Sequence, residues 1–210
     1  MIDMRPLLSQ PIMFIMGAFA HLGIFATLVI ALLLGFNLAE ATAIGMIGAI
    51  DGPTVIYVNG KLGHLFETPG LAAAIAVTAY SYMSLVPIIQ PPLMRLFTTK
   101  SERAIRMEYT PRPVSRTTVI LFPILITVIA GIFLPEAAPL IATLMLGNLL
   151  KESEVVPGLV ETSKNAITNT ATIFLGITIG STMQAAQFLN TGTLRVMVLG
   201  LVAFALNTIG

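Results

Sequence analysis

The sequence has no cysteine and few charged residues. Without cysteine, the chain can form no disulfide framework, no thiolate metal site and no cysteine nucleophile. Charged residues make up 10% of its 210 residues, against about 25% in a typical soluble domain. So few charges cannot cover a water-facing surface. Together with a hydrophobic content of 56% and a mean hydropathy of +0.91, they predict a membrane protein.

We expect no nucleic acid as a partner. The formal net charge of +1 is uninformative on this point, but the sequence has no basic patch with interleaved aromatic residues that could contact phosphates. The first stretch, "MIDMRPLLSQPIMF", lacks the pattern of a signal peptide, because Asp3 offsets Arg5 and the apolar run that follows is too long for an h-region. The partner that composition predicts is membrane lipid.

Apolar sequence is what the chain has in abundance. A spanning helix needs about 20 residues, and the first and third of seven apolar segments are long enough to cross at a tilt. No segment alternates like a β-barrel strand, so the predicted fold class is an all-α polytopic membrane protein, with a very apolar soluble bundle as the alternative. The segments cover approximately residues 11–36, 41–58, 71–94, 117–134, 137–150, 166–183 and 194–210.

The longest polar stretch, residues 95–116, predicts the orientation of the chain. Six of its residues are Lys or Arg and two are Glu, so the positive-inside rule predicts a cytoplasmic basic loop within a single transmembrane domain over 1–210. Two interpretations of the loop are open: its charges only set the orientation of the chain in the membrane, or the loop also docks a soluble partner. If each segment crosses once, 59–70 lies outside and 151–164 lies inside.

The stretch "AIDGPTVIYV", residues 49–58, places a carboxylate inside an apolar run and a helix breaker directly after it. Asp51 costs about 2.5–3.5 kcal/mol at the centre of a spanning helix. Gly52 loosens the backbone, and Pro53 removes an N–H donor. We therefore predict two short helices interrupted at Asp51–Pro53. A carboxylate beside freed carbonyl oxygens suits a small alkali cation or a proton.

The same stretch has a second interpretation. Asp-Gly-Pro also marks turns in soluble proteins, and the 18 residues of 41–58 are few enough for a re-entrant hairpin. The preceding Gly45 and Gly48 fit helix-packing positions better than site positions. In the third segment, Tyr82 could donate a hydrogen bond to Asp51 or handle a proton, and Tyr80 is its neighbour. A tyrosine packed in a bundle with a locally satisfied hydroxyl is the alternative for each.

Four stretches together resemble one known family. "GMIGAIDGPTVIYV", "AYSYMSLVPIIQPPLMRLFT", "LMLGNLLKES" and "TIFLGITIGSTM" are similar to the β subunit of the sodium-translocating decarboxylases, and the similarity runs along nearly all of the chain. The family acts on oxaloacetate, methylmalonyl-CoA, glutaconyl-CoA or malonate. The acyl substrate is chosen by a soluble subunit, so this chain does not identify it.

The resemblance implies a function, a fold and a set of site residues. In the family, the membrane subunit decarboxylates carboxybiotin, consumes a proton and exports sodium across the inner membrane. It works with a biotin-carrying carboxyltransferase subunit and a small membrane subunit, in an inverted-repeat fold with broken helices. The family aspartate falls on Asp51 and the family tyrosine on Tyr82, with Tyr80 as a further candidate. Gly52, Pro53 and Thr54 shape the break and offer sodium ligands.

The resemblance also implies that the sequence is partial. Family members carry a second broken-helix motif, Asn-Pro-Leu-Ile-Gly, which these 210 residues do not contain. We therefore expect roughly one half of the sodium site here, and little pumping by these residues alone. A different class remains open, namely a secondary transporter for sodium or an organic anion with no enzymatic step. A scaffold or truncated, inactive product is the third interpretation.

Overall fold

The computed structural model describes residues 2–10, 12–106, 113–182 and 191–210, and every regular element in these ranges is helical. Short 3-10 turns follow α4 and α5 at Met46–Ala49 and Gly63–Leu65, and the π-helix Ser163–Ile167 precedes α11. The α-helices are α1 (Arg5–Ser9), α2 (Ile12–Ala20), α3 (Leu22–Leu33), α4 (Leu38–Gly45), α5 (Gly52–Leu62), α6 (Leu71–Phe97), α7 (Lys100–Arg103), α8 (Arg116–Phe133), α9 (Ala138–Ser153), α10 (Pro157–Thr162), α11 (Thr168–Thr182) and α12 (Thr191–Ile209).

Four helical stretches in the described ranges are long and apolar enough to cross a membrane. They are α2 and α3 taken together as Ile12–Leu33, then α6, α8 and α12. This confirms the predicted class, an all-α polytopic membrane protein. The region around segment 41–58 is different, because it contains two short helices, α4 and α5, and neither is long enough to span.

The chain divides into two compact units. The first comprises Met1–Phe14 with Glu108–Ile177, and the second comprises Ile15–Met107 with Thr178–Gly210. The prediction of one transmembrane domain over 1–210 stays a prediction, as does the cytoplasmic position of loop 95–116. Residues 107–112 of that loop lie outside the described residues.

In the first unit, α8 and α9 run antiparallel. The Arg116 guanidinium at the start of α8 donates to the Ser153 carbonyl at the end of α9, at 3.1 Å. The N-terminal segment, which includes α1, is joined to α9 by two contacts. Arg5 pairs with the nearly buried Glu152 at 2.7 Å, and the backbone N–H of Ile2 donates to Asn148 Oδ1 at 2.7 Å.

In the second unit, glycines let the helices approach closely. A Cβ on Gly48 would lie 3.3 Å from Ala203 in α12, and one on Gly45 would lie 2.9 Å from the Ile24 carbonyl oxygen in α3. Small residues at such contacts are typical of membrane helices, so both glycines are packing residues, as the sequence predicts. The core around them includes Ile44, Val55, Leu71, Ile75 and Val196.

Candidate functional site

The break in segment 41–58 lies at Ile50 and Asp51. The 3-10 turn Met46–Ala49 ends at Ile50, which adopts a left-handed conformation with φ 57°, and Asp51 is extended and caps α5. A β-branched residue at positive φ is rare and costs on the order of 1–3 kcal/mol. The predicted interruption is confirmed, one residue earlier than expected. Pro53 falls in the first turn of α5, where its missing N–H is tolerated.

The two short helices form a hairpin. The side-chain amide of Asn37, just before α4, donates to the carbonyl of Leu65, just after α5, at 3.0 Å. Those residues are 28 positions apart, and a straight helix of that length would separate them by about 42 Å. The chain therefore reverses direction at Asp51, which lies at the hairpin tip. The two helices fold back on each other, which is the hairpin of the second interpretation, and how segment 41–58 lies in the membrane stays a prediction.

A buried carboxylate closes the base of this hairpin. Glu40 is 2% exposed, and its Oε1 accepts hydrogen bonds from the backbone N–H groups of Thr68 at 2.7 Å and Glu67 at 3.0 Å. Its Oε2 accepts from the backbone N–H of Asn37 at 3.0 Å, and Asn37 Oδ1 caps the Glu40 N–H in return. The Glu40 carboxylate thus links the start of α4 to the loop after α5. The sequence signal for part of this, Asn37 followed three residues later by Glu40, is a capping box.

Replacing Glu40→Gln should destabilise the protein by about 2–3 kcal/mol. The amide keeps one acceptor oxygen, but its NH2 group faces backbone donors, and hydrogen bonds to a charged group contribute about 1.5–3 kcal/mol each. Thermal unfolding in detergent measures the effect. Glu67→Gln is the matched control, because that side chain is exposed and only its backbone N–H takes part in the contact. Equal unfolding temperatures for the two variants would contradict the role of Glu40.

At the tip, Asp51 is held by Thr54. The Thr54 hydroxyl donates to Asp51 Oδ2, and the Thr54 backbone N–H donates to Oδ1 at a longer 3.5 Å. The carboxylate is exposed and lies at the N-terminus of α5, where the helix dipole favours negative charge. The last carbonyl groups of the preceding 3-10 turn have no partner within that turn, since helix ends leave such groups free. The tip therefore combines carboxylate, hydroxyl and carbonyl oxygens.

Gly52 and Pro53 occupy a different position from Asp51 and Thr54. Both lie in the first turn of α5, where carbonyl groups point along the helix. Their carbonyl oxygens are therefore directed away from the break. The sodium-ligand role of the two residues stays a prediction.

Tyr80 of α6 borders the tip. A Cβ on Gly52 would lie 2.5 Å from the Tyr80 ring carbon Cζ, so the glycine allows this contact. The Tyr80 hydroxyl is buried and has no hydrogen-bond partner among the described residues. Tyr80 is nine residues into α6, about 14 Å along a helix of about 40 Å. The contact places the Asp51 tip at an interior level of α6.

Tyr82 points elsewhere. Its hydroxyl donates to the Met197 carbonyl of α12 at 2.5 Å, and a Cβ on Gly200 would lie 2.8 Å from its ring. The hydrogen bond from Tyr82 to Asp51 that we considered from the sequence is therefore not formed. Side chains two positions apart on a helix point about 200° away from each other, so Tyr80 and Tyr82 cannot face the same neighbour.

Comparison with known proteins identifies the family. Residues 1–210 match the sequence profile described as "Na+-transporting oxaloacetate decarboxylase beta subunit". The chain belongs to this family of beta subunits. Asp51 and its hairpin are therefore parts of a beta-subunit chain.

Curated relatives act on several substrates. The chain is 50% identical over 210 residues to the methylmalonyl-CoA decarboxylase subunit beta of Veillonella parvula, which covers 100% of this chain and 55% of the relative. It is 47% identical over 214 residues to the oxaloacetate decarboxylase beta chain of Klebsiella pneumoniae, covering 99% of this chain and 48% of the relative. The glutaconyl-CoA decarboxylase subunit beta of Acidaminococcus fermentans is 48% identical over 210 residues, with coverages of 100% and 54%. The chain thus spans about half the length of these relatives.

Proposed function

We propose that this chain forms part of the membrane subunit of a decarboxylase sodium pump, which couples carboxybiotin decarboxylation to sodium export across the inner membrane. The observation that carries the proposal is a hairpin tip with one carboxylate at an interior level of α6, in a member of the beta-subunit family. Biotin on a partner carboxyltransferase subunit supplies the carboxyl group, whose release as CO2 consumes one proton. A small membrane subunit completes the complex.

In this proposal, Asp51 alternates between holding sodium and holding a proton. The Thr54 hydroxyl donates to one carboxylate oxygen, so the hydroxyl oxygen and the other carboxylate oxygen remain able to contact a cation. The carbonyl groups at the end of the 3-10 turn add hard oxygen ligands, which sodium prefers over soft ones. Gly52 and Pro53 keep the tip tight. The remaining ligands come from the part of the subunit outside this chain.

The two tyrosines are proposed to have different roles. Tyr80 lies beside the tip, and its hydroxyl has no hydrogen-bond partner among the described residues. It can therefore exchange a proton with a group at the tip such as the Asp51 carboxylate. Tyr82, which the family resemblance selects as proton donor, holds α12 through the Met197 carbonyl in this conformation. Release of that hydrogen bond would be required before Tyr82 could donate.

Phenylalanine variants separate these roles. Tyr80→Phe should lower the sodium-stimulated decarboxylation rate about 10²-fold, the range typical of a lost proton-transfer group, with little change in unfolding temperature. Tyr82→Phe should lower the unfolding temperature, because it removes the hydrogen bond that joins α6 to the Met197 carbonyl of α12, a contribution of about 0.5–1.5 kcal/mol. Loss of rate in Tyr82→Phe without loss of stability would instead assign the proton to Tyr82.

Transport by the intact complex tests the proposed function. The full-length subunit with its partners is reconstituted into vesicles, and sodium uptake is followed after addition of oxaloacetate, methylmalonyl-CoA, glutaconyl-CoA or malonyl substrates. Uptake should begin with one of these substrates and stop when avidin captures biotin. Sodium movement that ignores both additions and follows only an ion gradient would favour the secondary transporter.

Cysteine labelling tests the topology of the hairpin. With loop 95–116 inside, Ser101→Cys and Ser115→Cys should resist a membrane-impermeant thiol reagent added to intact cells. Because the hairpin returns to its starting side, Leu38→Cys and Glu67→Cys should both react from outside. Labelling of only one of that pair would contradict the hairpin, and ready labelling at residue 101 or 115 would reverse the orientation.

A further inference from the structure

Two neighbouring cavities lie on α9 of the first unit. The first, of about 490 Å³, lies between α9 and the π-helix Ser163–Ile167. Its wall is partly polar, with Thr143, Ser163, Lys164 and Thr168, and partly apolar, with Leu146 and Leu150. We call it the polar pocket. π-Helical turns are rare and are found frequently at functional sites.

The polar pocket offers one free cation and one free hydroxyl. Neither the Lys164 ammonium nor the Ser163 hydroxyl has a hydrogen bond or ion pair with any described residue. The hydroxyl hydrogens of the other two polar residues are already used, because Thr168 donates to the Ser163 carbonyl at 2.8 Å and Thr143 donates to the Pro139 carbonyl at 3.0 Å. The Glu161 carboxylate, three residues before Lys164, accepts from the Asn165 amide and is not part of the pocket wall. The pocket therefore suits an anion.

The second cavity is an apolar groove of about 400 Å³ between α8 and α9. It shares Thr143 and Leu146 with the polar pocket, so the two cavities meet along one helix. The rest of its wall is Pro123, Ile124, Thr127, Val128, Ala142, Met145 and Leu149. A cationic pocket that continues into an apolar groove matches a ligand with an anionic head and a hydrocarbon tail.

We propose that the polar pocket and the apolar groove together bind an anionic phospholipid. Its phosphate pairs with the Lys164 ammonium and accepts from the Ser163 hydroxyl, and one acyl chain lies between α8 and α9. Basic pockets between membrane helices bind such headgroups through charge and hydrogen bonds. A zwitterionic headgroup would bring its own ammonium group towards Lys164 and bind more weakly. This site is separate from the hairpin and does not depend on the proposed function.

Lipid binding by the full-length complex tests the charged half of the site. The complex is delipidated in detergent, and bound phosphatidylglycerol and phosphatidylcholine are counted by native mass spectrometry. Lys164→Gln should weaken phosphatidylglycerol binding about fivefold, the effect of about 1 kcal/mol for one basic residue, and Lys164→Arg should retain it. Lys100→Gln, which removes an equal charge from exposed α7, is the control. Equal binding by the two Gln variants, or equal binding of both lipids, would overturn the proposal.

A second arm separates a lipid from a free anion. Ala142→Phe should fill the groove and weaken phosphatidylglycerol binding several-fold, while the unfolding temperature shows that the fold is kept. Inorganic phosphate at millimolar concentration should leave the bound lipid in place, because it has no tail for the groove. Displacement by phosphate, or unchanged lipid binding in Ala142→Phe, would show that the pocket holds a small anion or that another segment of the full-length chain fills the groove, and either result overturns the proposal.

Discussion

Asp51→Asn is expected to abolish sodium-dependent decarboxylation. Asparagine keeps the shape of the side chain and can still accept from Thr54, but it removes the negative charge that sodium and a proton compete for. Loss of one charge-assisted contact costs about 1.5–3 kcal/mol, or roughly 10- to 150-fold in sodium affinity. Without a titratable group, residue 51 also can no longer exchange sodium for a proton. The measurement is carboxybiotin decarboxylation by the full-length complex as sodium is varied.

The matched measurement is carboxyl transfer from substrate to biotin. That step is proposed to belong to a partner subunit, so it should proceed at the wild-type rate in Asp51→Asn. Glu67→Gln provides a control for loss of one exposed carboxylate in the same unit. Sodium-stimulated decarboxylation that persists at the wild-type rate would show that Asp51 only caps α5.

Gly52→Ala is expected to displace the hairpin tip from α6. The new Cβ would lie 2.5 Å from Cζ and 2.9 Å from Cε1 and Cε2 of Tyr80, distances that no real contact tolerates. Overpacking of this kind costs about 1–3 kcal/mol. Since the same shift moves Asp51 away from Tyr80, sodium-dependent decarboxylation should fall together with the unfolding temperature.

Gly60→Ala is the control for this variant. It makes the same change in the same helix, α5, where nothing lies within 4 Å of the new Cβ. Alanine is favoured over glycine inside a helix by about 0.5–1 kcal/mol, so this protein should be slightly more stable. Tyr80→Ala has a cavity cost of its own, but in a Tyr80→Ala background the Gly52→Ala change should destabilise the protein less than it does in the wild type. If Gly52→Ala behaves like Gly60→Ala, the close contact with Tyr80 is not a constraint on the tip.

The membrane class and the broken segment follow from the sequence because they depend on local properties. Charge content and the length of apolar runs predict spanning helices whatever their neighbours are. The left-handed conformation of Ile50 cannot be predicted from the sequence. The start of α5 can, because Asp51 supplies an N-cap and Pro53 favours the first helical turn. The inverted-repeat arrangement stays a prediction, as do the sodium and proton roles of the site residues.

The direction of the chain after the break was decided by tertiary contacts. Asp-Gly-Pro is compatible with a straight discontinuous helix and with a reversal, because both need the same local dihedral change. The reversal is selected by Glu40, whose carboxylate accepts from three backbone N–H groups at the hairpin base, two of them 27 and 28 residues further along the chain. The position of the hairpin also determines that Tyr80, and not Tyr82, lies beside Asp51. Side chains two residues apart on α6 face opposite ways, and only the docked hairpin determines which of them meets the tip.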